Sequence, residues 1–181
     1  MKWKVLASEY LHKIPWLTIR KDTCELPNGK IIPSFYVNEY PEWVEVFALT
    51  EDNRVVMVKQ YRHAIGKVGI ELPAGVAEEG ETPEEAIRRE AKEETGYEFS
   101  HWKYLGKICS NPSTVNNYTH MFLATGGRKL HQQNLDHLED LEVVYMSIDE
   151  VKTIIKENKI LQSLHVSCIM YALAELGELK Y

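Results

Sequence analysis

Between Thr82 and Gly96 lies one stretch whose two ends are both fixed by local side-chain chemistry. Thr82 is an N-cap residue, Pro83 suits the first helical position, and Glu85, three residues after Thr82, completes a capping box. Gly96 supplies the left-handed residue that closes a helix. The segment therefore predicts a helix over 83–95 with two unlike sides. Ile87 and Ala91 make the side that faces a core, while Glu90, Glu93 and Glu94, three and four residues apart, crowd another side. Like charges at these spacings cost stability, and Arg89 offsets part of that cost through Glu93 at i+4.

Around this helix the chain reads as strands. WLTIRKD (16–22) and IIPSFYVNEY (31–40) alternate in polarity and are separated by Pro27-Asn28-Gly29, a turn signal, which predicts a hairpin. WVEVFALT (43–50) and RVVMVKQYR (54–62) are stronger strands joined by Glu51-Asp52-Asn53. IELPAG (70–75) reads as a short strand ending in the loop before the helix; WKYLGKIC (102–109), NYTHMFLA (117–124) and EVVYMSI (142–148) follow as strands. Helical patterns close the chain at 149–158 and 162–178, the second with Leu164, Cys168, Ala172 and Leu176 at i+4 steps. A boundary near residue 42 divides an aromatic N-terminal β extension, 1–42, from a larger domain, 43–181. With 44% hydrophobic and 27% charged residues, the 181-residue chain has the composition of a globular protein with one sizeable core, which excludes general disorder.

Charge and cysteine usage narrow the partners. Lys plus Arg number 21 against 27 for Asp plus Glu, a net charge of -6, so no nucleic acid duplex is expected as partner. Cys24, Cys109 and Cys168 are odd in number and far apart, which fits reduced thiols of a cytoplasmic protein better than a disulfide framework or a paired-cysteine zinc site. The opening MKWKVLASEYLHK lacks the apolar centre of a signal peptide, and no apolar run approaches the roughly 18 residues of a membrane span. The seven histidines show no metal-ligand spacing and read as structural or surface groups. Neither a Gly-x-Ser-x-Gly elbow nor a Gly-Lys-Ser phosphate loop is present.

A cluster of carboxylates on a rigid helix is the ligand set of a hard divalent cation, Mg2+ with Mn2+ as substitute, above all where substrate phosphates complete the shell. A solvated acidic face is the competing reading. The surrounding spacing decides between them. Gly75, Glu81, Arg89, Glu90, Glu93, Glu94 and Gly96 occupy all seven fixed positions of G-x5-E-x7-R-E-U-x-E-E-x-G-U, where U is a bulky aliphatic residue. The stretch resembles the Nudix box, with Ala91 and Tyr97 as departures at the two U positions. QYRHAIGKVGIELPAG (60–75) resembles the approach to the box in the ADP-ribose pyrophosphatase branch of that family. Pro112 stands 15 residues after Tyr97, where the branch has a proline, and LEDLEVVYMSIDEV (138–151) resembles its acidic loop before the last strand. The aromatic N-terminal strands resemble the extension through which the branch dimerises.

The resemblance implies an α/β (α+β) Nudix fold, an α/β/α sandwich with a mixed β-sheet, plus a small N-terminal strand region that swaps across a homodimer. It implies Mg2+-dependent cleavage of a nucleoside diphosphate linked to a sugar, with ADP-ribose giving AMP and ribose 5-phosphate. Glu90 and Glu94 would be the principal metal ligands, Glu93 a third ligand or a partner of metal-bound water, and the Ala74 carbonyl an additional ligand. Glu81 would support either the helix N-terminus or the surroundings of the metal. Glu139, in the acidic loop, aligns with the catalytic base, with Glu93 and Asp136 as alternatives. Arg62 would contact a substrate phosphate, a surface salt bridge being the alternative. Trp16 would stack on adenine, against core or interface packing. Ser113 and Asn117 stand where the branch has glycine and glutamate, and an asparagine cannot act as base, which moves that burden to Glu139. The rival outcomes are hydrolysis of another nucleotide diphosphate and a nucleotide-binding module without cleavage.

Overall fold

WVEVFALT forms β4 (Trp43–Thr50), and every residue of it after Trp43 is buried, because both of its faces are covered. Val44, Val46 and Ala48 pack on one side with Ala86, Ile87 and Ala91 of α1 (Pro83–Thr95). Phe47 and Leu49 pack on the other side with Val151 and Ile154 of α2 (Ile148–Lys156) and Cys168, Ile169, Ala172 and Leu173 of α3 (Ser163–Glu175). The two-residue period of a strand thus serves two cores at once. β4 runs parallel to β9 (Thr119–Lys129) and antiparallel to β5 (Val55–Arg62). With β8 (Tyr97–Ile108) and β10 (Leu141–Met146) the order is β10-β5-β4-β9-β8, while β6 (Lys67–Glu71) pairs with β5 and β7 (Ala74–Val76) with β4. The result is the expected α+β arrangement, a mixed sheet between helices.

The computed structural model describes residues 1–14 and 16–179, which divide into two units. The sheet and helices above make up the larger, Glu42–Ile108 with Thr119–Tyr181; the smaller is Met1–Pro41 with Cys109–Tyr118. In the smaller unit β1 (Lys4–Ile14), β2 (Leu17–Glu25) and β3 (Ile31–Glu39) form an antiparallel meander. Its β2–β3 turn is closed by Gly29 N–H donating to the Leu26 carbonyl at 2.9 Å, as the Pro-Asn-Gly signal predicts. Asp22 is buried and held by Ser8 Oγ at 2.7 Å and Arg20 Nε at 2.9 Å. The β8–β9 connection joins this unit through Asn38 N–H, which donates to the Thr114 carbonyl at 2.7 Å. Among the described residues no helix is long and apolar enough to cross a membrane.

Four elements differ most from the sequence expectation, among them β9, which runs on to Lys129 instead of ending at 124. β1 was not foreseen, since all eleven of its residues are exposed and no buried face imprints an alternation on it. β8 starts at Tyr97, directly after Gly96, rather than at Trp102, because pairing with β9 carries its polar residues Glu98 and His101 into the ladder. IELPAG is two strands. Pro73 has no N–H for a ladder, its carbonyl accepts from Val46 N–H at 3.0 Å, and the chain there steps from pairing with β5 to pairing with β4.

The capping box at Thr82 is formed in both directions, Glu85 N–H to Thr82 Oγ1 at 3.3 Å and Thr82 N–H to Glu85 Oε2 at 2.8 Å. Thr82→Ala is expected to lower the unfolding free energy by about 1 kcal/mol in a urea titration followed by circular dichroism.

Candidate active site

α1 lies across β7 with its last turns inward. The caps fix where the helix starts and stops, and Ile87 and Ala91 set its rotation, so Glu90 and Glu94 both point at the β7 backbone. Ala74 N–H donates to Glu94 Oε2 at 3.0 Å and Val76 N–H donates to Glu90 Oε1 at 3.2 Å. Between them Gly75 has no side chain, and a Cβ built there would fall on the Glu90 carboxylate. Arg89 braces the same corner. Its guanidinium donates to Glu81 at 2.9 and 3.0 Å, to Glu90 at 2.9 Å, to Glu93 at 3.1 Å and to the Val76 carbonyl at 3.0 Å. The Arg89 bond holds Glu81 down to about 2, which makes Glu81 the anchor of the loop before the helix.

The inner carboxylates show the opposite behaviour. Burial pushes Glu94 up to about 8, against the Ala74 N–H, and the charges of Glu90 and Glu139 add to the rise while Arg62 opposes it. Burial also raises Glu90, against the pull of Arg89. Negative charge is concentrated here beyond what the nearby donors compensate. Glu90, Glu93, Glu94 and the main-chain oxygens of β7 offer only oxygen donors, the chemistry that fits a hard divalent cation, and Gly75 leaves the room that the Glu90 carboxylate takes. As the side chains stand, Glu90 and Glu94 are engaged by β7 and Glu93 by Arg89, so among the described residues no three such ligands surround one point.

A second charged group lies on the other face of the sheet. Glu71, fully buried, accepts from Arg62 Nε at 3.0 Å and Nη2 at 2.5 Å and from Gln60 Nε2 at 3.3 Å. His165 of α3 bridges Glu71 and Glu45, both buried. Burial alone would lift Glu71, but His165 and Arg62 hold it at about 2. Burial works against the charged ring of His165, yet the two carboxylates raise it to about 9.

Two sequence families match the chain. The NUDIX domain covers residues 40–164, and the nucleoside diphosphate sugar hydrolase N-terminal domain covers residues 3–38. This chain belongs to the Nudix family. An ADP-ribose pyrophosphatase of Bacillus subtilis (strain 168) is 29% identical over 169 residues, 93% of this chain and 91% of its own length. A protein named methanol dehydrogenase activator from Bacillus methanolicus is 33% identical over 169 residues, again 93% of this chain and 91% of its own. A crystal structure of an ADP compounds hydrolase shares the fold with a TM-score of 0.85 at 19% identity, covering 99% of this chain and 98% of that one.

The Nudix box residues Glu90 and Glu94 are brought together with Ala74, which directly precedes the box, and Glu93 sits beside them against Arg89. Glu139 is exposed on the 130–140 loop, where its carboxylate accepts from Asp136 N–H at 3.0 Å, and its charge reaches Glu94. That loop is tied to the end of α1 by Gln133 Nε2 to the Glu94 carbonyl at 2.8 Å and Asn134 N–H to the Glu93 carbonyl at 2.9 Å. Trp16 belongs to the smaller unit, at the β1–β2 turn, 78% exposed and with φ 64. Asn117, in the same unit, is buried and donates to the Pro41 carbonyl at 2.8 Å. Sequence reasoning missed Glu45, Glu71 and His165. The signals were a glutamate inside the apolar run WVEVFALT and a histidine next to the apolar stripe of the last helix.

Two outcomes follow from these contacts. Gly75→Ala displaces the Glu90 carboxylate and is expected to weaken Mn2+ binding by about tenfold or more in calorimetry. His165 gains its partners on folding, so its contribution to stability is complete below its ordinary value of 6.5 and is lost as pH rises through about 9. The unfolding free energy should therefore decline across that interval, and His165→Gln should flatten the decline.

Proposed function

We propose that the protein hydrolyses the diphosphate bond of a nucleoside diphosphate linked to a sugar, with ADP-ribose giving AMP and ribose 5-phosphate. The observation that carries this reading is the pair of inward carboxylates, Glu90 and Glu94, bonded to the β7 backbone on either side of a glycine that leaves them room. The relatives named ADP-ribose pyrophosphatase, which match along 93% of this chain, support the choice of substrate.

Glu90, Glu93, Glu94 and the Ala74 carbonyl would hold Mg2+, or Mn2+ in its place. When bound, the ion supplies neutralisation of the diphosphate charge and acidifies water. Arg62, its side chain 45% exposed beyond Glu71, binds a phosphate oxygen of the substrate. Glu139, exposed on a loop anchored to α1, takes the proton of the attacking water as its oxygen bonds to phosphorus. The bridging P–O bond breaks and the second phosphate leaves as a monoester. Glu93, bonded to Arg89, is less available for that proton.

The N-terminal strands carry the dimer in this reading. β1 exposes the side chains of Val5, Leu6, Tyr10, Leu11 and Ile14 along its length, apolar groups that a second copy of the chain would cover. Reduced thiols and the cytoplasm remain the expected setting.

The deciding assay is chromatography of the products after incubation with ADP-ribose and other nucleotide diphosphates, in Mg2+ or in EDTA. AMP with ribose 5-phosphate, formed only with metal, is the expected result, and Glu94→Gln should lower turnover by about a thousandfold or more while leaving the circular dichroism unchanged. Saturable binding without product would instead establish a non-catalytic module, and turnover of another nucleotide in preference would replace ADP-ribose.

A further inference from the structure

Glu45, His165, Glu71 and Arg62 form a line of alternating charge that runs from the α3 core to the surface. Glu45 points to the α3 side of β4, 1% exposed, and His165 in the first turn of α3 is 2% exposed. His165 Nδ1 lies 2.8 Å from Glu45 Oε2, and Nε2 lies 3.2 Å from Glu71 Oε2. Both ring nitrogens thus face carboxylate oxygens. A neutral ring has one N–H and would set its remaining lone pair against a carboxylate, so the geometry calls for an imidazolium that donates twice. With that proton the four side chains sum to zero charge; without it, two carboxylates share one arginine in a buried site. Cys168, one turn along α3, is the other titratable side chain beside Glu45, and its thiol is kept protonated by burial. Glu45 Oε1 has no hydrogen-bond partner among the described residues, so the His165 bond is what fixes this carboxylate.

The far end of the line differs from the near end. Arg62 sits on Glu71 through two nitrogens, a fork that sets the plane of its guanidinium, yet nearly half of its side chain is open, and its charge is felt at Glu94. A staple between α3 and the sheet would need neither an exposed end nor an arginine. We infer that His165 is a positioning residue: bonded to Glu45 and Glu71, it holds the Glu71 carboxylate at the angle that aims the Arg62 guanidinium at the substrate diphosphate. The inference rests on the phosphate-binding role of Arg62 given above, and adds a residue from the C-terminal helix to the specificity of that site.

The test is a double-mutant cycle in the full chain, with ADP-ribose and Mg2+, together with the nitrogen-proton NMR signal of the Arg62 side chain. His165→Gln should raise KM by about tenfold with kcat within about threefold, and should add nothing once Arg62→Ala is present. In the NMR spectrum of the substrate-free protein, the Arg62 Nε–H should lose its protection from exchange in His165→Gln. Additive effects on KM would overturn the positioning role and leave Arg62 its own. An unchanged KM in Arg62→Ala would overturn the phosphate role, and with it this extension. Should ADP-ribose prove inert, an Arg62 signal unaltered by His165→Gln overturns the positioning role by itself. If that variant does not fold, the wild-type ring decides: protons on both nitrogens at neutral pH are expected, and a ring carrying one refutes the arrangement.

Discussion

A carboxylate carried into a protein interior loses its water, and Glu94, 4% exposed, has lost nearly all of it. Such a group is costly to hold charged unless donors replace the water. α1 meets that cost with backbone: the N–H groups of Ala74 and Val76 receive Glu94 and Glu90 because β7 is only three residues long and leaves its inner edge to the helix. Arg89 compensates Glu90 and Glu93, joining them with Glu81 and the Val76 carbonyl in one fork, while Glu94 has no arginine bonded to it among the described residues and stays raised to about 8. Rotation of α1 would break these bonds together. The caps, the glycine and the arginine are therefore parts of one device for keeping carboxylates where stability alone would not place them.

That device was legible in the sequence because its determinants are local. Thr82, Glu85 and Gly96 fix the helix ends within four residues of themselves, and the register of Glu90, Glu93 and Glu94 follows from the helical period. The fold class was legible through the resemblance carried by the seven fixed positions from Gly75 to Gly96, whereas burial of β4 on both faces came only with the structure. What was not legible is nonlocal. His165 meets Glu45 across 120 positions and Glu71 across 94, and no periodicity records either contact. β1 escaped notice for the converse reason: a strand with no buried face carries no alternation to read.

Several residues of the candidate site also owe their place to a single interruption. β6 pairs with β5, β7 pairs with β4, and the step between them falls at Leu72-Pro73. Had the strand continued, Glu71 and Ala74 would share one ladder, and the residues around them would alternate across it. The step lets Glu71 receive Arg62 and His165 while, three residues on, Ala74 pairs in register with Glu45 and gives its N–H to Glu94. Pro73 suits that place, because it surrenders no ladder donor and its carbonyl still bonds to Val46.

The same register places the two charged systems back to back. Val44 and Val46 turn their side chains toward α1, and Glu45, between them, turns toward α3. Glu45 and Glu94 thus approach Ala74 from opposite sides, one as its cross-strand neighbour and one as acceptor of its N–H. A sheet is stiff at such a point, since moving Ala74 disturbs a ladder and two buried carboxylates together. Rigidity is what a site of this chemistry requires: a diphosphate is cleaved only where charge-neutralising and proton-accepting groups are held in place before it arrives. The buried ion line on the α3 side supports that rigidity, since His165 fixes Glu45, the cross-strand neighbour of Ala74.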